Sequence, residues 1–299
     1  MIKVDLPELT IATPFYNSSL YIPRYFKHMI ELEYPKEIIN IVFTDNGSKD
    51  TSLELLKSFK EEYKDHYKNI KIISVKRVSE KGKFKGHSNI VKSVKTMIRN
   101  SHTDTVFIGS DCFPPKDGMM KLIRLSEHYK ADIGAGITLV GGAQANIQGI
   151  LVKGIPVISA YTLNQKTGKF QSISRIKMDK PYVSLFPRMW MNKISKIDGI
   201  GTGFAIIKKK VLDKVPFKVN LRYGEDLFLC LNAKLMGFKI MVDTSLWYDH
   251  WHYSYTSRSC ADGEMFVVKG IRDKERGMVE PITDKNKYNR YKSNIRRGR

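Results

Sequence analysis

Four acidic positions and one histidine stand where the chain punctuates itself with turn residues: Asp45 in TDNGSKDT, Asp111 in GSDCFPP, the pair Glu225 and Asp226 in YGEDLF, and His250 in VDTSLWYDH. Carboxylates at such places can ligate a hard divalent cation or take a proton from a reacting hydroxyl. An imidazole adds a nitrogen donor to an oxygen set. Each residue also has a plainer use. Asp, Asn, Gly and Ser suit turns, and acids at the start of a helix are favoured by its dipole. Asp50 or Thr51 can cap the helix that follows TDNGSKDT.

Positioning these groups takes a scaffold, and the hydrophobic pattern describes one. Apolar, β-branched runs at Leu9 to Pro14, Ile38 to Phe43, Ile70 to Val75 and Asp104 to Gly109 read as buried strands. Between them, helical spacing is found at Tyr21 to Leu32, in SLELLKSFKEEYK, and at about Ser88 to Asn100. Lys116 to Tyr129 then reads as helix and Ala131 to Leu139 as strand. Alternation of this kind predicts an α/β fold, with a mostly parallel sheet and helices on both faces. Ligands of such sheets bind beyond the carboxyl ends of the strands, which brings TPFYN, TDNGSKD and GSDCFPP together. Residues 141 to 196 are too long for a structureless loop and are expected to form short strands and a flap. Beyond them lie a glycine-rich turn, a short strand and helix in IDGIGTGFAIIKKKVLDKVPF, an amphipathic helix from Gly224, and a strand at Ile240 to Val242.

The 299 residues suit one large domain with an extension, and 42% hydrophobic residues provide a core. No stretch reaches the roughly 20 apolar residues of a membrane span, and the N-terminus lacks a signal-peptide pattern, so a cytoplasmic protein is expected. Three cysteines (Cys112, Cys230 and Cys260) without a CxxC pair argue against a disulfide framework or structural zinc. Cys230 reads as a buried small residue. The net charge of +21 attracts polyanions: nucleic acid, phosphorylated substrates, or an anionic membrane surface touched peripherally. No helix-turn-helix, zinc-finger or RNA-binding signature is present, so no specific nucleic-acid partner is expected. The tail KNKYNRYKSNIRRGR is either a solvated terminus or an anionic-surface contact.

TPFYN, TDNGSKDT, GSDCFPP, GIGTGFAIIKKKVL and GEDLFLCLNAKLMGFKIMVDTSLWYDH follow one another in the order found in GT-A fold glycosyltransferases. Over about residues 8 to 255 the chain resembles their large family 2-like group. The resemblance implies a Rossmann-like single domain at 1–255. Its nucleotide-sugar-binding half is 1–140 and its acceptor and catalytic half is 141–255, with a basic extension at 256–299. It implies transfer of a sugar from a UDP- or GDP-linked donor to a hydroxyl on a saccharide, lipid-linked or protein acceptor, with inversion. Thr13, Pro14, Tyr16 and Asn17 map to the loop that contacts base and ribose, and Asp45 maps to a base contact. Ser110 and Asp111 belong to the Asp-X-Asp motif, whose first Asp is here Gly109. Asp111 and His250 map to ligands for Mn²⁺ or Mg²⁺. Asp226 maps to the general base, with Glu225 as its support.

Other residues stay open between two uses. Gly201, Thr202 and Gly203 are small enough to let a sugar approach the backbone. Lys81, Lys83, Lys85 and His87 either face donor phosphates or form a solvated loop. Asn89 is a cap or a donor contact. His252 is an alternative ligand, and Asp249 is a candidate to orient either imidazole. Tyr182, Trp190 and Trp251 can stack on a sugar or fill the core. Two competing functions are nucleotidyl transfer, for which TPFYN lacks a glycine- and basic-rich first loop, and nucleic-acid binding without catalysis.

Overall fold

The computed structural model describes residues 6–78, 87–147, 150–179, 182–187, 193–218, 224–252, 255–259, 265–269, 271–272 and 279–280. The first half alternates as its periodicity predicts. Strand β1 (Leu9–Phe15) leads to helix α1 (Ile22–Glu31), β2 (Ile39–Asp45) to α2 (Ser52–Tyr63), and β3 (Asn69–Ser74) to α3 (His87–Arg99). Strands β4 (Asp104–Ile108) and the short β5 (Cys112–Phe113) precede α4 (Gly118–Glu127) and β6 (Ile133–Ile137). The run expected to form one strand to Leu139 breaks after Ile137 and restarts as the first arm of a long hairpin, β7 (Leu139–Ile147) and β8 (Ile150–Ile158).

The middle of the chain is strand-rich: β9 (Ala160–Asn164), β10 (Lys169–Ser172), β11 (Ser174–Asp179), β12 (Tyr182–Pro187), β13 (Ile194–Lys196) and β14 (Gly199–Ile200). Then come β15 (Phe204–Ile207), α5 (Lys209–Lys214), α6 (Gly224–Leu235), β16 (Ile240–Trp247) and β17 (Asp249–His252). Strands β18 (Tyr255–Ser259) and β19 (Met265–Lys269) pair with each other, and β19 pairs with β12. The predicted strand at Ile240 to Val242 therefore runs five residues further, across a register shift.

Eight strands form the central sheet in the order β13-β16-β6-β15-β4-β1-β2-β3. Strands β4, β1, β2 and β3 are mutually parallel, as are β6 and β16. Strand β15 enters antiparallel between β4 and β6, and β13 is an antiparallel edge. Side chains alternate between two cores because successive residues of a strand point to opposite faces. Leu9, Ile11 and Phe15 of β1 pack with α1, α2 and α4 through Tyr25, Met29, Leu56, Phe59 and Leu122. Ala12, Val42 and Phe107 pack on the other face with α3, α5 and α6 through Val94, Met97, Val211 and Leu229. Burial on both faces holds the strand ends at fixed places. Cys230 is fully buried in the second core, and burial pushes its thiol up to about 12. Among the described residues, no helix is long and apolar enough to cross a membrane.

Candidate active site

The carboxyl ends of β1 and β2 carry two loops that are hydrogen-bonded together. The Asn46 N–H donates to the Phe15 carbonyl (2.9 Å), and Asn17 Oδ1 accepts from the Lys49 N–H (2.8 Å). The Asn17 N–H donates to Ser48 Oγ and the Ser18 N–H to Ser52 Oγ. Asn17 takes a left-handed backbone (φ 47°), which Asn tolerates better than most residues. Asp50 serves both loops. Its carboxylate accepts from the Ser52 N–H at the start of α2 and from the Ser19 N–H, each at 3.1 Å. Asp50 is thus the cap, and Thr51 makes no side-chain cap bond.

Asp45 is 3% exposed at the end of β2, and its carboxylate accepts the Ser48 N–H. Beside it, the buried Asn46 has no hydrogen-bond partner for Oδ1 among the described residues. Tyr16 is exposed, and the Arg77 guanidinium lies 3.7 Å from its ring centroid. Arg77 was not singled out by sequence reading, because it follows β3 in a stretch that reads only as basic. Thr13 sits where alternation places it, on the α1 face, with its hydroxyl 2.5 Å from the Tyr25 hydroxyl. Thr13 is fully buried, whereas Pro14 lines the cleft. Asn89 clamps Val78, accepting from its N–H (2.9 Å) and donating to its carbonyl (3.0 Å), so its amide fixes the strand-to-helix loop. Ser110 lies within 3.3 Å of the Ser18 hydroxyl.

A cleft of about 570 Å³ opens at the ends of β4, β6 and β15. It gathers Asp111, His250, Glu225, Asp226, Thr202 and Gly203, which lie as much as 139 residues apart, from position 111 to 250. The pairing of β5 with β17 sets His250 opposite Cys112, so that His250 Nε2 and Asp111 Oδ2 meet at 3.3 Å. Asp111 is enclosed by protein, yet 37% of its side-chain surface reaches the cleft. Burial pushes its carboxyl up, but the charge and hydrogen bond of His250 outweigh this and hold it below the usual carboxylate range. Asp249, one residue along, points to the opposite face and bonds Arg24 at 3.2 Å. The side chains of His87, Tyr182, Trp251 and His252, with Lys81, Lys83, Lys85, Trp190 and the tail 285–299, lie outside the described residues.

Asp226 stands in the first turn of α6, but its carboxylate is engaged from another element. The Thr202 N–H donates to Oδ2 (3.1 Å) and the Thr202 hydroxyl to Oδ1 (2.6 Å). Glu225 lines the same cleft. Gly203 lines the cleft and is also closely packed. A Cβ there would lie 2.6 Å from the Tyr248 hydroxyl and 3.0 Å from Cys112 Sγ, so the protein's own side chains fill that space. Gly109 is similarly enclosed, with Cys112 Sγ 2.8 Å from the place of its Cβ.

The donor atoms of Asp111, Cys112 and His250 lie within 4.8 Å of one another. A carboxylate and an imidazole side by side at a cleft mouth suit a divalent cation that keeps open positions. Burial raises the Cys112 thiol well above its ordinary value.

Comparison with known proteins agrees with this architecture. A Bacillus spizizenii poly(ribitol-phosphate) beta-glucosyltransferase is 24% identical over 247 residues, which is 82% of this chain and 32% of that protein. The S. aureus TarS structure spanning residues 1–349, in complex with UDP-GlcNAc, matches at a TM-score of 0.50 and 17% identity, over 81% of this chain and 57% of that one. A longer S. aureus TarS structure matches at a TM-score of 0.50 and 15% identity, over 36% of its length. The chain thus spans about a third to somewhat over half of the relatives it matches, and the two structural likenesses bear on the fold alone. The model for glycosyl transferase family 2 matches residues 10–215, more than two thirds of the sequence, and on the parallel sheet, the loops at its strand ends and that match, the chain belongs to glycosyl transferase family 2.

Proposed function

We propose that this chain transfers a sugar from a UDP- or GDP-linked donor to a hydroxyl acceptor, with inversion. The observation that carries the reading is one cleft holding Asp111 beside His250 and, across it, Asp226 fixed by two hydrogen bonds. Residues 1–140 would supply the donor half and 141–255 the acceptor half. Asp45 and the unpartnered Asn46 Oδ1 offer acceptors for base N–H groups, with Arg77 over Tyr16 closing that end. Asp111 and His250 would hold Mn²⁺ or Mg²⁺, which when bound supplies charge stabilisation to the departing diphosphate.

Asp226 is the proposed general base. A hydroxyl becomes a competent nucleophile only as its proton is removed. Thr202 fixes both carboxylate oxygens of Asp226, which sets the direction of proton transfer before the acceptor arrives. Glu225 would hold the acceptor. A polyanionic acceptor accords with the net charge of +21, and the Bacillus relative acts, by its name, on a poly(ribitol phosphate). The test is incubation with a panel of nucleotide sugars, with Mn²⁺ or with EDTA, while nucleoside diphosphate release is followed. Metal-stimulated release from one donor is expected. Failure of every donor to bind sinks the reading, and undiminished turnover in EDTA removes Asp111 and His250 from it.

A further inference from the structure

The cleft contains a sulfur atom for which the hard-ion reading has no use. Cys112 Sγ donates to Asp111 Oδ1 at 3.6 Å, and Asp111 Oδ2 lies 3.3 Å from His250 Nε2. In a tetrahedral zinc site with Zn–S about 2.3 Å and Zn–N or Zn–O about 2.0–2.1 Å, the ligand atoms stand roughly 3.3–3.6 Å apart. Asp111 thus stands between the other two donors, with one oxygen toward the sulfur and the other toward the imidazole. One donor atom from each of the three residues lies within 4.8 Å of the others, a spread that closing around an ion would shorten. The sulfur also has a fitted seat. Cβ atoms at Gly109 and Gly203 would stand 2.8 and 3.0 Å from it, so glycine on both flanks leaves the sulfur its room. Position 109 carries no carboxylate, and a thiol stands beside the carboxylate of Asp111.

We infer that Asp111, Cys112 and His250 together form a three-donor site for a thiophilic divalent cation, Zn²⁺ or Co²⁺, in which sulfur is a direct ligand. This rests on the reading of Asp111 and His250 as a metal pair. On binding, the S–H bond breaks, an S–metal bond forms and the proton passes to solvent, because a coordinating thiol is deprotonated by the cation. One position stays open to the cleft, as in a site that also receives ligand oxygens. Mn²⁺ and Mg²⁺, which favour oxygen donors, leave the sulfur protonated.

Zn²⁺ outranks Mn²⁺ at almost any nitrogen and oxygen site, so affinity alone does not discriminate. The decisive measurement is spectroscopic: titration of the full metal-free chain with Co²⁺. A near-ultraviolet sulfur-to-cobalt charge-transfer band, saturating at one equivalent and abolished by Zn²⁺, is expected. A chain carrying Cys230→Ser and Cys260→Ser keeps the band, and Cys112→Ser loses it. Cys112→Ser also lowers Zn²⁺ affinity by at least about tenfold, the lower range of what loss of even an outer partner costs a metal site, while Mn²⁺ affinity changes far less. Co²⁺ binding without the band, no Co²⁺ binding, or a band that survives Cys112→Ser overturns the inference. The wild-type spectrum decides it even if the variant fails to fold. Mn²⁺-stimulated diphosphate release without the band removes the sulfur ligand and spares the transferase. The band with no donor bound does the reverse.

Discussion

At the scale of single residues, Asp226 and Gly203 are the most exposed to test. Asp226→Asn keeps the shape and one acceptor for Thr202 but cannot take a proton. Its turnover is expected to fall by at least about 100-fold, the usual lower range for general base catalysis, with donor affinity little changed. Calorimetry with the nucleotide sugar alongside steady-state kinetics checks this, and an equal loss of donor binding would move Asp226 out of the base role. Thr202→Val removes the hydroxyl donor and is expected to lower turnover less, by about tenfold, on the scale of one hydrogen bond to a charged group. Gly203→Ala places a methyl group 2.6 Å from the Tyr248 hydroxyl and is expected to cost about 1–3 kcal/mol of stability. Adding Tyr248→Phe deletes that oxygen. Urea unfolding should show the double variant recovering part of the loss, and no recovery would mean that the strain lies elsewhere.

Among elements, the start of α2 is where one side chain joins two loops. Burial pushes the Asp50 carboxyl up, yet hydrogen bonds from Ser52 and Ser19 outweigh it and hold the group below its ordinary value. A carboxyl lowered in the folded state stabilises above its unfolded pKa, about 3.9, and loses that contribution as pH falls through the lower folded value. Asp50→Ala is therefore expected to cost about 1 kcal/mol at neutral pH, as for an N-cap, with the gap to wild type closing in acid. Denaturant titrations at neutral pH and near pH 3 read this directly, and a gap constant across that range would refute it. The same elements show how much the sequence disclosed. The strands were legible because apolar β-branched runs lie between turn residues, and Asp45 and Asp111 were legible because they follow such runs. The burial of the Thr13 side chain was legible too, since Leu9, Ile11, Thr13 and Phe15 share one parity. Arg77, Tyr248 and the seat of Cys112 were not legible, because each matters through a neighbour distant in sequence.

For the whole molecule, 51 basic side chains against 30 acidic ones leave 21 cations that no acid in the chain can neutralise one for one. Pairs such as Lys210 with Asp132 and Lys208 with Glu127 leave that excess unchanged. A surface of this kind would draw a polyanionic acceptor over distances that salt shortens, to about 8 Å at physiological ionic strength. With a phosphodiester-polymer acceptor, KM is expected to rise steeply with added salt while KM for the nucleotide sugar rises little. Equal salt sensitivity for a neutral oligosaccharide acceptor would show that charge plays no part in acceptor capture.

Strand β15 enters the sheet against the direction of its neighbour β4, and this has a mechanical effect. The Gly109 N–H donates to the Gly203 carbonyl at 2.9 Å, and the residue before Gly203 holds the carboxylate of Asp226. The loop that would face the departing diphosphate and the group that would receive the acceptor proton are thus ends of one short lever. A donor that displaced the peptide at Gly109 would pull on the loop that holds Asp226, and bond breaking and proton removal would then share a hinge.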